Sequence, residues 1–179
     1  MTKQRVRYFA YGSNMLTARL HERVPSVTPI AIGQLLGYAL RWDKRSWWDG
    51  SGKCDAEATS RNDDVVWGAL FEFDLDDKPV LDRAEGVGIG YVGKPVSVLT
   101  EGGVLTAVTY CATDKDATLR PYNWYKALVI AGAREHGLPA TYRRGLELVV
   151  TVSDTDTARA GGPRNRYPMT DRHSAYVLA

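Results

Sequence analysis

Residues 8–15 have the types and order of a strand, a tight turn and a helix start: Tyr-Phe-Ala-Tyr-Gly-Ser-Asn-Met. We expect a buried strand to end near Tyr11, Gly12 to adopt a turn conformation that other residues resist, and Ser13 or Asn14 to cap the following helix. Such a turn presents free backbone N–H groups, which bind a carboxylate or a phosphate without any lysine or arginine. The alternative is a capped turn with a purely structural role.

Glu85 is the second residue of chemical interest, because it stands where local rules favour a cation. Residues 74–85 follow a helical period and Gly86 is placed to end the helix, so Glu85 falls in the last turn. The negative end of the helix dipole disfavours a carboxylate there. Misfits of this kind concentrate at functional sites. We therefore predict that Glu85 is a general acid or base that faces the same cavity as the backbone amides of residues 12–14.

Other catalytic constellations do not fit the sequence. The histidines His21, His136 and His173 lie on separate elements without metal-ligand spacing. The glycines of residues 86–90 follow a helix end, whereas a dinucleotide fingerprint follows a strand. Ser13 lacks the second glycine of a nucleophile elbow. The remaining candidates are tyrosines, whose hydroxyls can donate hydrogen bonds from an otherwise apolar surface. They are Tyr8, Tyr11, Tyr91, Tyr110 and Tyr125.

The patterning predicts an α+β fold in which a small, mixed, closed β-barrel is flanked by helices. Residues 65–73 give the strongest strand signal, and paired glycines at 102 and 103 indicate a hairpin. Glycines within residues 30–42 indicate either one bent strand or two short ones, as in a sheet that curls into a barrel. The remaining predicted elements are strands at 55–59, 91–100 and 104–112, and helices at 15–24, 121–136 and 140–148.

Residues 44–53 lack periodicity and contain turn residues, which predicts a loop. Trp47 and Trp48 are costly to leave in water. We expect them to form a lid or a wall of the pocket and to influence selectivity.

Length and composition indicate one domain over residues 1–152 and a C-terminal extension over residues 153–179. The 179 residues are 44% hydrophobic, enough for one core. From residue 154 to 166 the composition predicts an extended or mobile segment, while the apolar residues 176–178 should dock on the body or on a neighbouring subunit. The net charge of +2 gives no argument for nucleic acid or an anionic membrane. Neither a signal peptide nor a membrane-spanning run is visible.

Cys54 and Cys111 are the only cysteines and have no CxxC partner, so they build neither a disulfide framework nor a zinc site. A reducing, cytoplasmic location fits best.

Six segments together resemble the γ-glutamylcyclotransferase family, and they occur in register over about residues 6–150. They are the Tyr-Phe-Ala-Tyr-Gly-Ser-Asn-Met stretch at 8–15, Gly-Gln-Leu-Leu-Gly-Tyr at 33–38, the loop at 44–53, Val-Trp-Gly-Ala-Leu-Phe at 66–71, Leu-Asp-Arg-Ala-Glu-Gly-Val at 81–87 and Tyr125-Lys126. The tail beyond residue 153 matches nothing in this family.

The resemblance implies a barrel with a cavity at one end and release of 5-oxoproline from a γ-glutamyl amide. It also implies residue roles. Glu85 would shuttle the proton, Tyr125 would line the pocket, and the glutamyl group would be bound by Tyr8, Phe9, Ala10, Tyr11, Gly12 and Ser13. Ring closure is intramolecular, so neither a metal nor an organic cofactor is required. The partner is then a small γ-glutamyl substrate, and the leaving amine and a homodimer stay open.

A second function of a different class is a non-catalytic binding or interaction module. In that case Trp47, Trp48 and a basic tail would engage a protein or RNA partner, the tail through Arg159, Arg164, Arg166 and Arg172. A pure binding module has no need of a carboxylate facing the turn at Gly12, so the position of Glu85 discriminates between the two.

Overall fold

The protein, described by a computed structural model over residues 3–162, is built on a closed five-stranded barrel with the strand order β1-β5-β2-β6-β7. A separate two-stranded sheet is formed by β3 and β4. The strands are β1 (Arg5–Ala10), β2 (Thr28–Leu36), β3 (Tyr38–Arg45), β4 (Gly52–Ala58), β5 (Val65–Asp74), β6 (Tyr91–Thr100) and β7 (Gly103–Ala112). The expected closed barrel is confirmed.

Five α-helices and two short 3₁₀ helices complete the described part of the chain. The α-helices are α1 (Thr17–Arg23), α2 (Lys78–Glu85), α3 (Asn123–Glu135), α4 (Ala140–Glu147) and α5 (Thr157–Ala160). The 3₁₀ helices are Ser13–Met15 and Leu75–Asp77. No helix within residues 3–162 is long and apolar enough to cross a membrane.

The barrel is mixed because one of its five strand pairs is parallel. Strand β5 pairs antiparallel with β1 and β2, and β6 pairs antiparallel with β2 and β7. The barrel closes through a parallel pairing of β1 with β7 that places Tyr8 beside Val108. Fully buried side chains pack on both faces of the barrel strands, among them Phe9, Leu70 and Phe71. This core fixes the end of β1, from which the turn at Gly12 departs.

The glycines of residues 30–42 divide that region into two strands, which was one of the two expected outcomes. Gly37 has a φ of 75°, a conformation that favours glycine, and the chain there leaves the barrel for the two-stranded sheet. At Gly33 a Cβ would lie 2.4 Å from Val98 Cγ1, so glycine lets β2 approach β6 closely.

The predicted loop over residues 44–53 is shorter than expected. Strand β3 continues to Arg45 and β4 begins at Gly52, so Lys44 pairs with Lys53 across a hairpin. The lysines, glycines and serines of this segment show no alternation of polar and apolar residues, so the local pattern favours a loop. Pairing of β3 with β4 in the folded protein overrides this local preference.

The predicted helix over residues 15–24 is also divided. A 3₁₀ turn precedes α1, whose N-cap is Leu16 without a side-chain hydrogen bond, so neither Ser13 nor Asn14 caps it. Helix α3 fixes this segment instead. A Cβ at Gly132 would lie 2.6 Å from the Leu16 nitrogen, and His136 Nε2 lies 2.8 Å from the Met15 carbonyl oxygen. The turn is therefore held from the helix side as well as from the barrel.

The described start of the C-terminal segment packs against α3, unlike the extended or mobile segment expected over residues 154–166. The Asp154 side chain accepts hydrogen bonds from Trp124 Nε1 at 2.9 Å and from Arg159, and Asp156 caps the short helix α5. Residues 163–179 lie outside the described residues, as do the predicted tail docking and three of the four tail arginines. The division at residue 152 stays a prediction.

Candidate active site

A cavity of about 160 Å³ opens at one end of the barrel. Its wall is built from the end of β1 and the following turn, the C-terminal end of α2, the β3–β4 hairpin, the starts of β6 and α3, and the end of β7. Elements distant in sequence thus converge on one concave surface, which is the usual form of a small-molecule site.

Glu85 lies in this cavity and not on the solvent side of the barrel. Its side chain is 15% exposed, and its Oε1 accepts hydrogen bonds from Asn14 Nδ2 at 2.5 Å and from Arg23 Nη1 at 3.3 Å. Gly12, Ser13 and Asn14 line the same cavity. The expected juxtaposition of the Glu85 carboxylate with this turn is therefore present.

Local features of α2 explain why Glu85 points into the cavity. Pro79 stands in the first turn, where its missing N–H costs nothing, and Leu81 is the buried anchor of the helix. Gly86 ends the helix with a φ of 70°, so Glu85 is the last helical residue. The carboxylate at a disfavoured helix end is compensated by Arg23 of α1.

The side chain of Asn14 is a part of the site that the sequence interpretation considered only as a helix cap, although it placed the Asn14 backbone amide in the cavity. Its side chain is buried and bridges three groups: Nδ2 donates to Glu85 and to the Tyr8 hydroxyl at 3.2 Å, while Oδ1 accepts from Arg23 Nη1 at 2.8 Å. A buried amide with partners on both ends is rigidly oriented. Its position directly after the Tyr-Gly-Ser turn is the one sequence signal that pointed to it.

The turn itself offers unsatisfied donors. Met15 N bonds to the Gly12 carbonyl, but the amides of Gly12, Ser13 and Asn14 have no acceptor among residues 3–162. Three successive amides beside a cavity are suited to an anion such as a carboxylate.

The reason for glycine at position 12 differs from the expected one. Its φ is −110°, so it does not adopt the left-handed conformation. A Cβ would instead lie 3.3 Å from both the Tyr125 hydroxyl and Cys54 Cβ, which is tighter than ordinary contact. Gly12 thus allows the turn to pack against Tyr125, whose hydroxyl accepts a hydrogen bond from the Cys54 amide at 3.1 Å.

The predicted turn residues divide into two groups. Tyr8, Tyr11, Gly12 and Ser13 line the cavity, as does Tyr125 of α3. Phe9 and Ala10 are fully buried and do not line it. They therefore serve the site only by fixing β1.

Tyr91 and Tyr110, whose positions were left open, also line the cavity. Their hydroxyl protons are already bonded: Tyr91 donates to the Cys54 carbonyl at 2.6 Å and Tyr110 to Asp82 at 2.7 Å, while Tyr11 donates to the Tyr110 carbonyl. Tyr8 differs, since its oxygen accepts from Asn14 and its proton has no acceptor within residues 3–162. Burial, and next the charge of Glu85, raise the pKa of Tyr8 far above its ordinary value, so the hydroxyl keeps its proton.

Lys53 lines the cavity, and its ammonium is held by neighbouring side chains. Lys53 Nζ bonds to Asp49 at 2.8 Å and to Ser51 at 2.7 Å, and it lies 4.6 Å from the Trp124 ring centroid and 4.7 Å from that of Tyr125. This ion pair and these cation–π contacts satisfy Lys53 without a ligand.

The tryptophans of the β3–β4 hairpin also line the cavity, with Trp47 70% exposed and Trp48 42% exposed. A Cβ at Gly86 would lie 3.5 Å from Trp47 Nε1, so the hairpin meets the end of α2 beside Glu85. Their predicted effect on selectivity stays a prediction.

Cys54 is the cysteine that lines the cavity, and burial raises the pKa of its thiol to about 12. A thiol in that state is a poor nucleophile at neutral pH. Among residues 3–162 no cluster of three histidine, cysteine, aspartate or glutamate side chains could hold a metal ion.

Comparisons with known proteins agree with this geometry. Residues 65–146, which include Glu85, match the model of the AIG2-like family. The chain is 34% identical over 149 residues to the γ-glutamylcyclotransferase of Bos taurus, covering 79% of this chain and 77% of that protein. It is 33% identical over 150 residues to the γ-glutamylcyclotransferase of Homo sapiens, with the same coverage.

A solved structure of a γ-glutamyl cyclotransferase superposes with a TM-score of 0.78 at 30% identity, covering 85% of this chain and 92% of that one. Fold, site and sequence therefore agree, and this chain belongs to the γ-glutamylcyclotransferase family.

Proposed function

We propose that this protein is a cyclotransferase that cleaves γ-glutamyl amides by intramolecular cyclisation, releasing 5-oxoproline and an amine or amino acid. The observation that carries the proposal is the partly buried Glu85 carboxylate, held by Asn14 and Arg23 in the cavity that the turn at Gly12 also lines. The relatives named γ-glutamylcyclotransferase support the same reaction class.

The substrate's α-carboxylate is bound by the amides of residues 12–14, which lack acceptors within the described chain. Anchoring this end folds the glutamyl chain so that its amino group approaches the γ-carbonyl carbon. Such positioning turns ring closure into the favoured reaction, because both reacting groups belong to one bound molecule.

Glu85 acts first as the base and then as the acid. The α-ammonium of the substrate, with a pKa of about 8, is mostly protonated at neutral pH and must lose a proton before its nitrogen attacks. A new C–N bond then forms to the γ-carbon and the bond to the leaving amine breaks. Overall, two protons pass from the α-nitrogen to the departing nitrogen, and one carboxylate carries them one at a time.

The oxygen of the tetrahedral intermediate needs a hydrogen-bond donor as negative charge develops on it. Tyr8 is the proposed donor, since its hydroxyl keeps its proton and has no other acceptor among residues 3–162. Tyr91 and Tyr110 donate to protein groups and act as walls.

We further infer that the partner is a small γ-glutamyl molecule and that the protein works in the cytoplasm. Cys54 and Cys111 are both free thiols, which is compatible with a reducing compartment. A homodimer remains a prediction.

A panel of γ-glutamyl amides that differ in the leaving amine, assayed for 5-oxoproline, tests the proposal. At least one member should be turned over by the wild-type chain. A panel that includes amino-acid, alkylamine and polyamine leaving groups and yields no 5-oxoproline would contradict it.

A further inference from the structure

The chain interrupts its helical path at Leu16, between the 3₁₀ turn of Ser13–Met15 and helix α1. Leu16 has a φ of −70° and a ψ of 108°, which is extended backbone, although the residues on both sides of it are helical. No glycine or proline stands between Ser13 and Arg23, and leucine is a strong helix former. The local sequence therefore does not explain the break, and its cause must lie in tertiary contacts.

The break leaves the Met15 carbonyl without a backbone partner. The Gly12 carbonyl accepts from the Met15 amide, that of Ser13 from Leu16 and that of Leu16 from Leu20, but no backbone N–H within residues 3–162 donates to the Met15 oxygen. Met15 is fully buried, so its oxygen is shielded from solvent. A buried carbonyl without a donor is costly, and such groups are almost always paired.

His136, directly after the last residue of α3, supplies the missing donor. Its Nε2 lies 2.8 Å from the Met15 carbonyl oxygen, and a carbonyl oxygen can only accept, so Nε2 carries a proton. The His136 side chain is 10% exposed, and its ring stands at 89° to the ring of Phe71, with the centroids 5.3 Å apart. A residue of barrel strand β5 thus fixes the ring that donates to the turn.

Both ends of the turn rest on α3. At the first end a Cβ on Gly12 would lie 3.3 Å from the Tyr125 hydroxyl, and at the second a Cβ on Gly132 would lie 2.6 Å from Met15 Cβ. These close approaches set how near the turn lies to the helix. The hydrogen bond from His136 adds a direction, because it also fixes the peptide unit that follows Met15.

We propose that His136 is a positioning residue for the substrate's carboxylate. By holding the Met15 carbonyl, it keeps the amides of residues 12–14 directed into the cavity. Loss of the donor would let the backbone at Leu16 rearrange to satisfy the orphaned carbonyl, and the amides would move with it. His136 does not line the cavity, so it acts on the substrate only through the turn. This inference rests on the proposed function, because it concerns the turn that is proposed to bind the glutamyl carboxylate.

Two variants separate the donor of His136 from its ring. His136→Phe keeps an aromatic ring against Phe71 but has no N–H, whereas His136→Gln loses the ring and keeps an N–H at a similar distance from the backbone. His21→Phe is the control, because His21 is exposed on α1 and does not line the cavity.

Two matched ligands report on the carboxylate site. They are 5-oxoproline, the proposed product, and 5-oxoprolinamide, in which an uncharged carboxamide replaces the carboxylate. Calorimetry measures the Kd of each without turnover. We expect His136→Phe to weaken binding of 5-oxoproline by about 10-fold, because amides that have moved donate poorly to the carboxylate. The Kd of 5-oxoprolinamide should change by less than about 2-fold, which also shows that the variant folds. His136→Gln and His21→Phe should bind both ligands within about 3-fold of wild type.

Unchanged binding of 5-oxoproline by folded His136→Phe, or equal losses for the two ligands, would overturn the role of His136 and leave the proposed function standing. If His136→Phe does not fold, His136→Gln decides the question. Wild-type binding by that variant supports the role of the donor, and a selective loss of 5-oxoproline binding overturns it.

A wild-type chain that prefers neither ligand would overturn this inference together with carboxylate binding by the turn. The proposed reaction has a separate readout, because it is contradicted only when the panel of γ-glutamyl amides yields no 5-oxoproline.

Discussion

Asn14 Nδ2 lies 2.5 Å from Glu85 Oε1, so the last residue of the turn that we propose to bind the substrate carboxylate also fixes the proposed base. The two are separated by 71 positions in sequence and meet only because the barrel brings β1 beside the end of α2. The proposed sites of substrate anchoring and of proton transfer are thereby held in one geometry, which is what ring closure within a bound molecule requires.

Replacing Asn14 by alanine should lower kcat by about 10-fold or more, because Glu85 would keep only the longer contact with Arg23. As Asn14 acts through Glu85, KM should change less than kcat. Steady-state assays of 5-oxoproline release measure both. Asn123→Ala, at the start of α3 and outside the cavity wall, is the control. A rise in KM with unchanged kcat would show that Asn14 does not position the base.

Tyr8→Phe should lower kcat by about 100-fold, the usual order for loss of one donor to a developing oxyanion. Tyr110→Phe is the matched control, because Tyr110 lines the same cavity but donates to Asp82. It should cost less than about 5-fold in kcat. Similar losses in the two variants would argue against a special role for the Tyr8 hydroxyl.

Cys54 should be dispensable for chemistry although it lines the cavity. Because burial raises the pKa of its thiol to about 12, the thiol stays protonated and should resist iodoacetamide at pH 8 in the folded protein. Cys54→Ala should retain activity to within about 3-fold. Cys111→Ala, a buried thiol outside the cavity wall, controls for packing changes. A loss above about 100-fold confined to Cys54→Ala would point to covalent catalysis.

Asp154 should stabilise the fold in a pH-dependent manner. Hydrogen bonds from Arg159, and next from Trp124, hold the pKa of Asp154 well below its usual range. A carboxylate with a depressed folded pKa stabilises the protein above its unfolded pKa of about 3.9, and this contribution is lost as the pH falls through the folded pKa.

Asp154→Asn should therefore reduce the free energy of unfolding by about 1–3 kcal/mol at pH 7, and the difference from wild type should shrink as the pH falls below about 4. Urea denaturation at several pH values measures this. Asp63→Asn, at an exposed surface pair, should change little at any pH. A pH-independent difference for Asp154→Asn would contradict the charged role.

Much of the barrel could be predicted because its signals are local. Strand β5 and the hairpin of β6 and β7 show alternation and paired glycines in the sequence itself. Glu85 stood out because it violates a local rule at a helix end that Gly86 marks. Both kinds of signal need only a few neighbouring residues to be read.

The partners within the site could not be predicted in this way. Asn14 was interpreted as a cap because Asn is a good N-cap residue, and its actual partners come from α1 and α2. The Lys53–Asp49 pair and the position of Lys44 in the cavity wall both depend on the register of β3 with β4. A sequence without alternation of polar and apolar residues does not specify that register.

The most direct test of Glu85 as the proton carrier is turnover by the Glu85→Gln variant. Glutamine keeps the shape and an acceptor oxygen for Asn14 but cannot take the proton from the substrate ammonium. The account predicts that 5-oxoproline release falls by more than about 100-fold, while binding of the γ-glutamyl substrate, followed by calorimetry, stays largely intact. Turnover of Glu85→Gln near the wild-type rate would contradict it.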